Sequence, residues 1–373
     1  MADVPAGFLR PTLAGLVPYE PGKPVEEVQR ELGLERIVKL ASNEGPQGPF
    51  PEALEAMARA AEGLNRYPDG GAYRLRTALS ERHGVRFGEI AIGAGADGLI
   101  DVLSQATLDS GDEVVCGWPS FPSYVIYALK LGAEPVRVPL REHRYDPEGL
   151  LGAITKRTKL VYVCHPNNPT GTMNTRKELD DYFERVPEHV LTVVDQAYFE
   201  YIDDPEYPDA VEEYFKAGRR VFVTRTFSKI YGLAGLRVGY GVGPASLVTA
   251  LGKTRRAFDL NTPAQEAALA SLDAPEELAR RRELNDRGRA ELEGILREAG
   301  YTVAGPSVGN FVYADLGDDA QPFFEALLRQ GVIVRPLAAF GAPQAIRVTV
   351  GTPEEHAFLE DALVRARTAA AAS

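Results

Sequence analysis

The sequence predicts an α/β protein: a larger domain with a mainly parallel, seven-stranded sheet flanked by helices, and a smaller α/β domain after it. Seven short β-branched runs recur from about residue 90: "EIAIGAG", "DEVVCGW", "EPVRVPL", "KLVYVCHP", "LTVVDQAY", "RVFVTRTF" and "LRVGYGV". Helical patterns such as "DGLIDVLSQATL" and "SYVIYALKLG" lie between them. The runs are apolar rather than alternating, as strands are when crossover helices cover both faces of a sheet.

The elements follow in order. The first forty-odd residues are rich in proline and glycine and hold one helical pattern, "PVEEVQRELG". "GPQGPFPEALEAMARAAEGLNRYPDGG" opens with breakers, continues as an alanine-rich amphipathic helix and ends in a turn. The strand–helix alternation follows. From about residue 264 the pattern becomes long, charged and helical ("PAQEAALASL", "PEELARRRELNDRGRAELEGILREAG"), and the short strands "GNFVYADL", "GVIVRPL" and "AIRVTVG" come after it. At roughly 100–200 residues per domain, 373 residues make two. The expected division is an N-terminal segment 1–44 packing on the small domain, a large domain 45–263 and a small domain 264–373. The tail "ARTAAAAS" reads as a fraying helix end.

Composition excludes several function classes. A net charge of -12 argues against a general nucleic-acid or acidic-membrane binder, since those present basic surfaces. Cys116 and Cys164 both fall in apolar strand runs and read as buried free thiols rather than a disulfide or metal pair. The five histidines show no close ligand spacing, so no metal is expected. The N-terminal stretch "MADVPAGFLRPTLAGLVPYEPGKP" has an early acid, several prolines and no continuous apolar core, unlike a signal peptide. No apolar run approaches the roughly 18–20 residues that span a bilayer. A cytoplasmic protein is expected.

Four strand ends carry the candidate chemistry. "GAGADGLIDVL" runs from a strand straight into a helix, whose exposed N–H groups suit a phosphate or carboxylate; alone it reads more readily as a tight turn. "CHPNNPTG" ends a strand with Asn168 at the sheet edge where open α/β sheets bind ligands, although an Asn-Pro turn is also ordinary. "TVVDQAYFEY" closes an apolar strand with Asp195, and Tyr198 follows three residues on. A buried carboxylate needs a cation, from the protein or from a protonated heterocycle. "TRTFSKIYGLAGLRVGY" adds Ser228, Lys229 and Arg237 just past another strand.

One ligand accounts for all four ends together: pyridoxal 5'-phosphate, an aldehyde-bearing pyridine with a phosphate arm. The lysine supplies a Schiff base, and the carboxylate keeps the pyridine nitrogen protonated. The amide and phenol suit the ring hydroxyl, while the arginine, the serine and the helix N-terminus suit the phosphate.

With these motifs, and with "VPYEPGKP", "IVKLASNE", "NRYPDGG", "GNFVYADL" and "GVIVRPL" added, the chain resembles the fold-type I, class I/II aminotransferases. Within them it is similar to the histidinol-phosphate aminotransferase branch, over nearly its whole length. The resemblance implies that Lys229 is the Schiff-base lysine and the base of the proton shift, that Asp195 pairs with the pyridine nitrogen, and that Asn168 and Tyr198 contact the ring oxygen. It places Ala96 and Asp97 (through the helix start), Thr226, Ser228 and Arg237 on the phosphate, and stacks Phe121 on the ring. It matches Tyr67 to a tyrosine reaching the partner subunit's cofactor, hence a homodimer with shared active sites. Arg347 then grips the substrate's carboxylate or phosphate, with Tyr19 and Arg335 as further anion contacts and Asn43 and Glu44 in a substrate-loop motif.

The chain departs from that pattern at three places. Gln196 is neutral where a glutamate is usual, Gly45 replaces an asparagine, and Asp259 stands where the branch commonly has asparagine. The last two bear on the substrate rather than the reaction class. The implied reaction is transamination between L-histidinol phosphate and 2-oxoglutarate, giving imidazole-acetol phosphate and L-glutamate. The alternatives are an aromatic amino-acid (phenylalanine/tyrosine) transaminase, a decarboxylase of a phosphorylated amino acid and a non-enzymic sensor; the sensor is disfavoured by the acidic charge and the reactive lysine.

Overall fold

The structure, a computed structural model, describes residues 7–18 and 21–371, with side chains to residue 366. Tyr19 lies outside the described residues. The strands in chain order are β1 (Val38–Lys39), β2 (Ile90–Gly93), β3 (Glu113–Trp118), β4 (Glu134–Pro139), β5 (Thr158–Cys164), β6 (Leu191–Asp195), β7 (Val221–Thr226) and β8 (Gly239–Val242). They continue with β9 (Thr302–Val303), β10 (Phe311–Asp315), β11 (Val332–Ile333), β12 (Arg335–Leu337) and β13 (Ala342–Thr349).

The seven expected runs form one sheet in the order β2-β8-β7-β6-β5-β3-β4. Its pairs are parallel except that β8 runs antiparallel to both β2 and β7. Helices such as Gly95–Thr107, Ser123–Leu131 and Arg176–Arg185 cover it, and β3, β5, β6 and β7 are buried almost throughout. Local chemistry fixes the helix ends. Thr175 and Glu178 exchange backbone N–H bonds in a capping box, and Asn261 Oδ1 accepts from Ala264 N at 2.8 Å to start the helix Thr262–Leu272. The helix Gly95–Thr107 has no side-chain cap at Ala94, which leaves its first N–H groups open to a ligand.

A second sheet, β12-β13-β10-β9, packs with the helices Pro275–Glu298, Ala320–Arg329 and Pro353–Ala371 around a separate apolar cluster that includes Leu292, Val312, Leu327 and Leu359. Val28, Val38 and Leu40 of the N-terminal segment belong to that cluster, and β1 pairs in parallel with β11. Two details differ from the sequence expectation. "GVIVRPL" is divided between two sheets, β11 pairing with β1 and β12 with β13. The expected boundary at 263/264 falls inside the helix Thr262–Leu272, whose Ala264, Ala267 and Ala268 pack into the large-sheet core. That helix carries four alanines, so it can lie close against the helix Pro51–Ala61. No described helix is long and apolar enough to cross a membrane.

Candidate active site

The C-terminal ends of β5, β6 and β7 open beside the start of the helix Gly95–Thr107, at the edge where strand order reverses and open α/β sheets bind ligands. A cleft there is lined by Ala96, Asp97, Phe121, Cys164, Asn168, Asp195, Ala197, Tyr198, Thr226, Ser228, Lys229 and Arg237. Every residue expected to hold the cofactor from this subunit is among them. A second recess adjoins it through Phe121, Asn168, Tyr198 and Lys229 and adds Asn43, Arg335 and Arg347.

Asp195 is the strongest indicator of what the cleft takes. The residue is 4% exposed, its Oδ2 accepts from the Tyr124 hydroxyl at 2.7 Å, and its Oδ1 accepts from Ala197 N at 3.2 Å. Burial pushes its carboxyl above the usual range, while Tyr124, Thr224 and the Ala197 N–H oppose that push. It forms no ion pair within 4.0 Å among the described residues, although most buried carboxylates need one. A cationic ring nitrogen supplies what the protein does not, so the donor set fits a protonated pyridine.

Opposite it, Lys229 Nζ donates to Ser42 O at 3.4 Å and stands 5.6 Å from the Tyr198 ring centroid. Its pKa is lowered to about 7, chiefly by burial; the charges of Arg347 and Arg237 add to this, and Glu44 and Asp195 oppose it. The amine is therefore about half neutral at neutral pH, and increasingly neutral and nucleophilic above it. Loading of the cofactor-free protein should accelerate as pH rises from 6 to 8 and then level off, as stopped-flow absorbance would record. A rate that keeps climbing toward pH 10 would return Lys229 to an ordinary lysine.

The phosphate end is built from donors. Ser228 N donates to Thr226 Oγ1 at 3.1 Å, and Arg237 Nη1 donates to Ser228 Oγ at 3.3 Å. Arg237 presses so closely on the helix start that a Cβ at Gly95 would meet its Nη2 at 2.7 Å, and Gly95 has a φ of +78°. Backbone N–H groups, two hydroxyls and a guanidinium thus converge where an anion is favoured by the helix dipole. The Asp97 side chain turns away from this cradle and accepts from Ser123 Oγ and the Tyr127 hydroxyl.

Asn168 and Arg347 are linked, since Arg347 Nη1 donates to Asn168 Oδ1; this leaves the amide NH2 free to face the cleft. Arg347 Nη2 donates to Ala41 O at 2.8 Å, and its guanidinium lies between the rings of Phe311 and Phe340 at 5.4 and 5.3 Å. Arg335 is its cross-strand partner on β12. Asn43, expected among substrate contacts, is 1% exposed and donates through Nδ2 to the Tyr198 hydroxyl at 2.8 Å. Glu44 lies 3.3 Å from Lys39 at the surface.

Tyr67 is not brought to this site: it is 81% exposed and stacks on Phe258, ring centroids 4.6 Å apart. Two departures gain a physical account. Asp259 is held by Arg255 at 2.5–2.8 Å, so it is not an uncompensated acid, and Gln196 joins a buried hydrogen-bond cluster. At Gly45 a Cβ would find only ordinary contacts, the nearest at 3.5 Å from Lys229 O.

Sequence reasoning missed Tyr124, Thr224 and the carbonyls of Ala41 and Ser42. Two had a usable signal. Tyr124 is one helical turn past Phe121, and Thr224 is two residues before Thr226 on the same face of a strand. Carbonyl groups have none.

Comparisons with known proteins agree with this geometry. The family model for aminotransferase class I and II matches residues 35–363. A histidinol-phosphate aminotransferase of Akkermansia muciniphila is 47% identical over 92% of this chain and 94% of its own length. One of Moorella thermoacetica is 42% identical over 93% and 90%. Among solved structures, the histidinol-phosphate aminotransferase of Sinorhizobium meliloti in complex with pyridoxal 5'-phosphate superposes with a TM-score of 0.88 at 29% identity, covering 97% of this chain and 98% of that one. A double mutant of Thermus thermophilus aspartate aminotransferase gives 0.84 at 28% identity, covering 96% and 99%. Matched over most of its length, the chain belongs to the class I and II aminotransferases.

Proposed function

We propose that this aminotransferase uses pyridoxal 5'-phosphate to move the amino group of L-histidinol phosphate to 2-oxoglutarate. The observation that carries the choice of donor is the cross-strand pairing of Arg335 with Arg347 beside Lys229. Two neighbouring guanidiniums, 7% and 4% exposed, suit a phosphate dianion, whereas an α-carboxylate is satisfied by one. Asp259 does not weigh against it, because it is paired with Arg255 and lines neither recess.

When bound, the cofactor supplies an aldehyde that takes up the donor's amino group and a ring that spreads the electron pair left at the donor's Cα. Asp195 holds the ring nitrogen in its cationic form. Asn168 and Tyr198 would hold the ring oxygen, and Phe121 would cover the ring. Thr226, Ser228, Arg237 and the helix start at Ala96 and Asp97 fix the phosphate. Lys229 Nζ would take the proton from the donor's Cα, and its low pKa favours the neutral amine that this task needs. Arg347 and Arg335 would hold the substrate's anionic end, and Asn43 would complete the recess beside them.

The stacked, exposed pair Tyr67 and Phe258 supports a homodimer in which Tyr67 serves the partner subunit's site. The same reading divides the chain into an N-terminal segment 1–44, a large domain extended past 263 to include the helix Thr262–Leu272, and a small domain beyond it, in a cytoplasmic enzyme.

Arg335→Met tests the donor. It should lower kcat/KM for L-histidinol phosphate by about 10²-fold or more, as truncating a buried charge contact does, and leave phenylalanine and tyrosine nearly unaffected. Equal losses for both classes, or none, would remove the phosphate reading.

A further inference from the structure

Arg225 lies behind the site rather than in it. Strand alternation turns Thr226 toward the cleft and Thr224 toward Asp195, and it sends the Arg225 side chain to the opposite face of β7. There it is 2% exposed. Its Nη2 donates to Gln196 Oε1 at 2.9 Å and to Asp209 Oδ1 at 2.7 Å, and its guanidinium carbon is 3.4 Å from the Phe199 ring centroid. Gln196 directly follows Asp195, and Phe199 directly follows Tyr198. One planar group therefore grips the 195–199 turn at two points, each next to a residue that faces the cleft.

The grip is anchored at its far side. Gln196 Nε2 donates to Pro208 O at 2.9 Å, and Asp209 Oδ1 also accepts from Val211 N at 2.9 Å. Asp209 N donates to Glu213 Oε1 at 3.0 Å. A buried ion pair kept only for stability is often replaceable without loss. A guanidinium that lies flat on one ring while its Nη2 donates to two other residues is not, because its value lies in fixed geometry.

We propose that Arg225 is a positioning residue, setting from the back of the sheet where the Asp195 carboxylate and the Tyr198 phenol stand. The proposal rests on the reading that these two groups face the cofactor.

The test uses the holoenzyme with Arg225→Lys, which keeps the charge and loses the planar group with its reach and its stack, and with Phe199→Leu, which removes the stack alone. Each is titrated with pH through the absorbance of the bound cofactor, beside steady-state kinetics and the melting of cofactor-free protein. Arg225→Lys should shift the apparent pKa of that absorbance by about one unit and lower kcat by about 10²-fold, with KM for the acceptor little changed. Phe199→Leu should move both in the same direction by less. A folded Arg225→Lys with the wild-type titration and kcat would overturn the proposal, even if its melting temperature fell. Should Arg225→Lys not fold, a wild-type titration in Phe199→Leu would overturn it equally. Asp195→Asn separates the two failures: a titration indifferent to that change removes the reading beneath the proposal. One that responds to Asp195→Asn but to neither clamp variant removes the proposal alone.

Discussion

Lys229→Ala is expected to lower kcat/KM by at least about 10⁴-fold, the upper end of what a positioned general base contributes. The geometry leaves no substitute. Among the groups lining the cleft, Cys164 and Tyr198 have pKa values pushed well up by burial, and Asp195 is committed to Tyr124 and the Ala197 N–H. The variant should still retain cofactor through Thr226, Ser228, Arg237 and the helix start, because none of these depends on the amine. Equilibrium dialysis and steady-state rates on the same preparation check both halves. A rate within tenfold of wild type would place the base elsewhere.

Asp195→Asn is expected to cost about 10²–10³-fold in kcat with little change in KM, the loss that follows removal of a group placed to stabilise charge in the transition state. Its effect on stability should depend on the cofactor. Burial raises the carboxyl's pKa in the folded protein, so without a cation the ionised form is a penalty. That penalty is fully present above the raised pKa and disappears as pH falls below the ordinary carboxylate value. At neutral pH the cofactor-free variant should therefore melt no lower than cofactor-free wild type, and the cofactor should stabilise wild type more than the variant. Scanning calorimetry of both proteins, with and without cofactor, reads this directly. A variant that melts lower in both states would mean that Asp195 serves only the fold.

The sequence made these residues visible because of where they lie. Asp195, Asn168 and Lys229 each end or follow an apolar strand run, and a polar group there has few structural uses. The large sheet was legible for the same reason, since doubly covered strands are apolar without alternation. The division of "GVIVRPL" between two sheets was not, because nothing in a seven-residue run says that Val334 is a crossing point. The helix Thr262–Leu272 looked like the start of the next domain, since its alanines fit any close contact and name no partner. Arg225 lies unremarked inside the strand run "RVFVTRTF", and only the fold brings Gln196, Phe199 and Asp209 to it. The Arg255–Asp259 pair had no helical signal, because both residues lie in the connection between the helices Ala245–Thr254 and Thr262–Leu272, and the pairing appears only once both side chains are placed.

The central claim is that a neutral Lys229 and paired arginines serve a phosphorylated amine donor. A single-turnover absorbance measurement on cofactor-loaded protein, without any keto acceptor, tests it most directly. L-histidinol phosphate, phenylalanine, tyrosine and threonine phosphate are added separately while the band of the lysine-bound cofactor is followed. Rapid loss of that band is expected with L-histidinol phosphate and far slower loss with the other three. A faster response to the aromatic amino acids, or a band that no donor changes, would contradict it.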